Sequence, residues 1–191
     1  MKEIIVAVAT ILAIIGNIPY LKDVWKEKIQ PHAYTWMVWS IVSAIVFFGQ
    51  VAKGGGIAVI ATGASEIFTI IIFILSLKNG FKHVTKTDTI FLCIALLGLI
   101  PWLVTKDPTL SVIIAVSIDL IAFIPTLRKT WNNPKTELSL LYGMNVLRHL
   151  LTLITLDAYN IATSLHSVAM ICTNTLMVIF IRFHIPKKQT D

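Results

Sequence analysis

Five ionisable side chains fall where the surrounding sequence is apolar: Glu66, Asp119, Arg148, His149 and His166. Keeping such a group in hydrocarbon costs roughly 2.5 to 3.5 kcal/mol on insertion scales, so it marks a solute pathway, a proton relay or a counter-ion by default. At about 1.5 Å of rise per residue, Glu66, Asp119 and Arg148 lie roughly 12 to 16 Å from the outer ends of their segments, near mid-membrane. A guanidinium at that depth suits a carboxylate. A lone carboxylate such as Glu66 suits a cationic or hydroxyl group, or carries a proton. Asp119 is placed to position Arg148 or relay that proton, and the two also suit a structural ion pair holding the fifth segment against the sixth.

The polar residues around these five follow helical spacing. Tyr142, Asn145, Arg148, His149 and Thr152 form one stripe, and Thr163, His166, Ser167, Thr173 and Asn174 another. Thr62, Ser65, Glu66 and Thr69 make a third, and Trp36, Trp39, Ser40, Ser43 and Gln50 a fourth. Side chains at i, i+3, i+4 and i+7 share a helix face, so each stripe turns a polar face inward. Asn145 and Asn174 join the ionisable residues as candidate solute ligands. Trp36, Trp39 and Tyr142, nearer one end, are candidate gates; an interfacial aromatic belt is the structural reading of the two tryptophans.

The elements that must carry these stripes are membrane helices. Hydrophobic residues make up 56% of the chain and charged residues only 14%, against about 25% charged in a soluble domain. Seven segments reach the length a span requires: about 3–25, 34–51, 56–77, 87–105, 109–131, 138–156 and 159–183. Asn79-Gly80, Asp107-Pro108 and Asn132-Asn133-Pro134 punctuate them, and Gly54-Gly55-Gly56 is a turn. The formal charge of +6 sits in short loops, so it speaks of orientation and not of nucleic acid. Twelve lysines and arginines fall on the side of the first-second, third-fourth and fifth-sixth loops, and three on the other. The first side is therefore expected in the cytoplasm, with the N-terminus outside. Cys93 and Cys172 read as apolar packing residues without a disulfide role. No HExxH, nucleophile triad or Cys/His ligand spacing occurs, so neither an enzyme, a metal site nor a cofactor is expected.

The chain also repeats. Ile18-Pro19-Tyr20-Leu21-Lys22 with Trp25 returns as Ile124-Pro125-Thr126-Leu127-Arg128 with Trp131, 106 residues on. Each copy places a proline inside an apolar run, where it removes a backbone hydrogen bond and kinks the helix. Pro19 and Pro125 are thus candidate hinges of two equivalent bundles. Segments one to three match segments five to seven, and the apolar fourth segment reverses direction between them.

In these features, above all Pro19-Tyr20-Leu21 and Pro125-Thr126-Leu127, the chain resembles the PQ-loop superfamily, which includes the SWEET sugar transporters, with Tyr20 and Thr126 where that family has glutamine. Gln30-Pro31-His32-Ala33-Tyr34-Thr35-Trp36-Met37-Val38-Trp39 is similar to the second-helix entry of small bacterial members. The resemblance implies two three-helix bundles joined by a linker helix, and solute-binding positions that fall on Phe48 and Glu66 in one half and on Leu151 and His166 or Ser167 in the other. The sugar-binding pair itself is not reproduced.

The expectation is an all-α integral membrane protein in a 3+1+3 arrangement: residues 1–80 a first bundle, 81–107 a linker helix, 108–191 a second bundle with a short cytoplasmic tail. Its expected function is transport of a small polar solute, zwitterionic or carboxylate-bearing, by alternating access with a proton as the candidate coupling ion. A non-transporting receptor or scaffold of the same fold and a sugar facilitator are the alternatives. The partners are the solute and the lipid bilayer. A monomer suffices for a pathway, and a homo-oligomer is compatible with it.

Overall fold

The computed structural model describes residues 1–81, 84–90, 92–93, 96–97 and 107–183. Its long helices are α1 (Lys2–Trp25), α2 (Ala33–Ala52), α3 (Val59–Asn79), α5 (Pro108–Asn132), α6 (Ser139–Ile154) and α7 (Ile161–Phe183). Residues 86–90, 92–93 and 96–97 are helical and are labelled α4. Most of the expected linker helix, and the tail from residue 184, lie outside the described residues.

Local chemistry sets the ends of these helices. Asp107 caps α5, its carboxylate accepting from the backbone N–H groups of Thr109 and Leu110 at 2.7 and 3.1 Å, with Pro108 at the first helical position. Gly54 and Gly56 take positive φ values of 78° and 64°, which turn the chain sharply between α2 and α3. Asn79-Gly80 ends α3, where the Gly80 carbonyl accepts from the Ala33 N–H at 3.2 Å and ties the helix end to the start of α2.

Among the described residues, five helical stretches are long and apolar enough to cross a membrane: Lys2–Trp25, Ala33–Ala52, Gly56–Lys78, Pro108–Asn132 and Ile161–Phe183. The expected sixth span is shorter than its apolar run. Helix α6 covers 16 residues, about 24 Å, because Leu138 is extended and the helix ends at Thr155. Ile4, Val8, Ile11, Ile15 and Ile18 form an exposed stripe along α1, and Ile60, Ile67, Ile70, Ile71 and Ile74 one along α3. The interior meanwhile buries Asn17, Gln50, Asp119, Arg148 and His149. Apolar outside and polar inside is the distribution of a helical protein whose solvent is lipid.

The six long helices close a ring in the order α1, α3, α2, α5, α7, α6, back to α1. The chain neighbours α1 and α2 are separated by α3, and α5 and α6 by α7. The contacts are equivalent under exchange of α1 to α3 with α5 to α7: α1 packs on α6 as α5 packs on α2. One end of the ring holds the Lys2–Asp157 ion pair and the bond from Asn160 to the Lys53 carbonyl. The other holds the Arg128–Asp88 and Lys78–Glu27 pairs. Cys93 and Cys172 are free and exposed, so they do not pack in the protein interior as expected.

Candidate functional site

The stripes meet in one cavity inside the ring, with about 620 Å³ of empty space that is in part open to the outside. Its wall takes Trp36 and Trp39 from α2, Asp119 from α5, Tyr142, Asn145, Arg148 and His149 from α6, and His166 and Asn174 from α7. Nine expected site and gate residues are thereby brought together from both repeats. Helical spacing explains this on α6, where residues 142, 145, 148 and 149 form one face.

Arg148 is 4% exposed. Its Nε donates to Asn145 Oδ1 at 3.3 Å and its Nη2 to His149 Nε2 at 2.6 Å, while its Nη1 has no partner among the described residues. A guanidinium only donates, so His149 Nε2 is the acceptor nitrogen of a neutral ring. The ring proton then sits on Nδ1, which donates to Ser167 Oγ at 3.2 Å. His149 and His166 meet edge to face with ring centroids 5.3 Å apart.

The expected ion pair between Asp119 and Arg148 does not form. The acid instead lies beside His166, with Oδ2 3.8 Å from Nε2, longer than a hydrogen bond. His166 Nδ1 is buried without a partner among the described residues. Helix α7 lies between α5 and α6 in the ring, which puts its histidine between the acid of one and the guanidinium of the other.

Glu66 is buried but stands one layer behind the wall. Its Oε2 accepts from Ser43 Oγ, and Ser43 lines the cavity, as do Ser65 and Thr69 on the helix of Glu66. Phe48 corrects the expectation outright: it is 67% exposed and does not line the cavity. Five residues beyond Ser43, it lies on the far side of α2, about 140° around the helix.

The aromatic wall is ordered by packing. Trp39 stacks on Phe123 with centroids 5.5 Å apart and an interplanar angle of 28°, and Trp36 meets Trp39 at 5.1 Å and Tyr20 at 5.5 Å. Trp36 is 3% exposed, so an interfacial belt does not describe it. The indole N–H groups of both tryptophans are buried without a partner among the described residues.

The sequence matches no protein-family model, and neither a curated protein nor a solved structure is similar to it at a significant level. The site therefore stands on its own geometry.

Two polar clusters beside the cavity escaped sequence reasoning. Glu137 Oε2 accepts from the hydroxyls of Tyr20 at 2.8 Å and Tyr142 at 2.9 Å, and its Oε1 pairs with Lys129 Nζ at 2.5 Å. Lys129 also donates to the Gln30 carbonyl at 2.5 Å. Counted from sequence as a loop cation, Lys129 is in fact 3% exposed. The second cluster joins His32, Asp88 and Arg128, with the acid 3.4 Å from the imidazole and 2.5 Å from the guanidinium. Burial pushes the His32 imidazole down to about 4, against the pull of Asp88. Only the low count of acids beside many cations in these loops hints at such partners.

Proposed function

We propose that this chain is a membrane carrier, and not an enzyme, that moves a small polar solute by alternating access. In this reading α1 to α3 and α5 to α7 are two equivalent three-helix bundles, α4 links them, and the fold is that of the PQ-loop superfamily. The observation that carries it is the cavity: charged and hydrogen-bonding groups from α2 and α3 and from α5, α6 and α7 line one space. The exchange-equivalent contacts of the two triplets support the bundle division.

The ties across the halves suit two gates. On one side Gln50 Nε2 donates to the Thr163 carbonyl at 3.3 Å. On the other, Glu137 and Lys129 of the second half hold Tyr20 and Gln30 of the first. Breaking one set while the other holds opens the cavity to one face at a time. The excess of lysine and arginine at the Glu137 end supports a cytoplasmic position for that end, with the N-terminus outside.

Glu66 is the proton carrier in this scheme, with Ser43 relaying its state to the wall. The test is uptake of labelled solutes into proteoliposomes at varied pH. Flux driven by an inward proton gradient is expected, and Glu66→Gln abolishes its pH dependence. Unchanged flux and pH dependence in that variant would remove the proton role. No flux of any solute, with binding retained, would favour a receptor.

A further inference from the structure

Four buried atoms on the cavity wall have no partner among the described residues; one, His166 Nδ1, donates or accepts according to its tautomer, and the other three share one chemical sense. Trp36 Nε1, Trp39 Nε1 and Arg148 Nη1 are all N–H donors, all buried, and all belong to residues that line the same space. A buried donor without an acceptor is costly, and an unpaired buried guanidinium more so. Asp119, the acid on the wall, is beside His166 and forms no ion pair with Arg148. Glu66 is held by Ser43 behind the wall. The cavity thus lacks one acceptor-rich negative charge.

The stacked faces of Trp39 and Phe123 and the side chains of Leu141 and Met170 supply the apolar part of the same wall. We propose that the solute is a small organic carboxylate, its anionic head held by Arg148 and the two indole N–H groups, its apolar body against Trp39 and Phe123. This names the solute class for the cavity described above. It rests on that cavity holding a solute and not on the solute being carried across.

Isothermal titration of the purified full chain in detergent tests it, with empty micelles as the blank and sodium chloride as the anion control. Benzoate, benzamide and benzylamine share one ring and differ in the head group. Benzoate is expected to bind about 10- to 100-fold more tightly than benzamide, the range of one charge-assisted hydrogen bond. Trp39→Phe removes one donor and part of the aromatic face, and it should weaken benzoate about 5- to 10-fold more than it weakens benzamide. Arg148→Gln should abolish the preference for the acid. If that variant does not fold, the ligand series and Trp39→Phe still decide. Equal binding of benzoate and benzamide, preference for benzylamine, or no binding of any of the three would overturn the proposal. Because the assay needs no transport, a bound carboxylate without vesicle flux would keep this inference and defeat the carrier reading.

Discussion

Glu137 is 4% exposed and takes three donors, from Tyr20, Tyr142 and Lys129. Removing one member of a buried pair strands the other charge, so Glu137→Gln should destabilise the protein by about 3 to 5 kcal/mol. Lys129→Met with Glu137→Gln should recover most of that loss, and a double-mutant cycle of unfolding in detergent measures the coupling. His32 makes a second residue-scale prediction. Its folded value of about 4 lies below the free imidazole's, so the unfolded chain binds the proton more readily. The contribution of His32 is complete above about pH 6.5 and is lost as pH falls toward 4, on the order of 3 kcal/mol in all. Thermal melts across that window should show a fall that His32→Gln reduces. At this scale the sequence picked out Asp119 and Arg148 as buried charges, because an Arg or Asp in an apolar run stands out. It did not disclose partners: Asp119 was paired with the nearer expectation, Arg148, and lies beside His166, since pairing depends on helix order around the ring.

Helices meet most closely where the halves join. A Cβ on Gly16 of α1 would come within 2.8 Å of Met144 Cβ on α6, and one on Gly49 of α2 within 2.6 Å of Val112 Cγ2 on α5. Gly16→Ala or Gly49→Ala should therefore cost about 1 to 3 kcal/mol by overpacking, read as a loss of thermal stability in detergent. The two prolines predict the opposite balance. Pro19 and Pro125 stand inside continuous helices, and Pro125 leaves the Ile121 carbonyl without its usual donor. One residue along, Thr35 Oγ1 of α2 donates to the Ala122 carbonyl at 2.9 Å, crossing between the halves at the kink. Pro125→Ala should leave stability unchanged or raised while slowing flux several-fold. Equal flux would make the kink static. Element positions were largely legible from apolar runs and turn residues. Helix α6 was read too long, because Leu138 and Leu156 extend the apolar run while the chain around them leaves the helix.

For the whole molecule, the inverted polarity and the duplicated contacts belong to one design. Each triplet exposes large apolar side chains outward and contributes polar faces to a shared interior. The apolar composition made the membrane character visible in the sequence. The ring order was not visible, because nothing in a linear pattern tells that α3 slides between α1 and α2. The central claim is that this interior opens to each face in turn. Thiol access decides it most directly: Thr69→Cys, on the cavity wall, in a chain with Cys93 and Cys172 replaced, labelled by a membrane-impermeant maleimide in vesicles of each orientation. Labelling from both sides is expected, with Glu137→Gln raising the rate from the side on which Glu137 lies; labelling from one side alone, unchanged by that substitution, would show an interior closed to the other face.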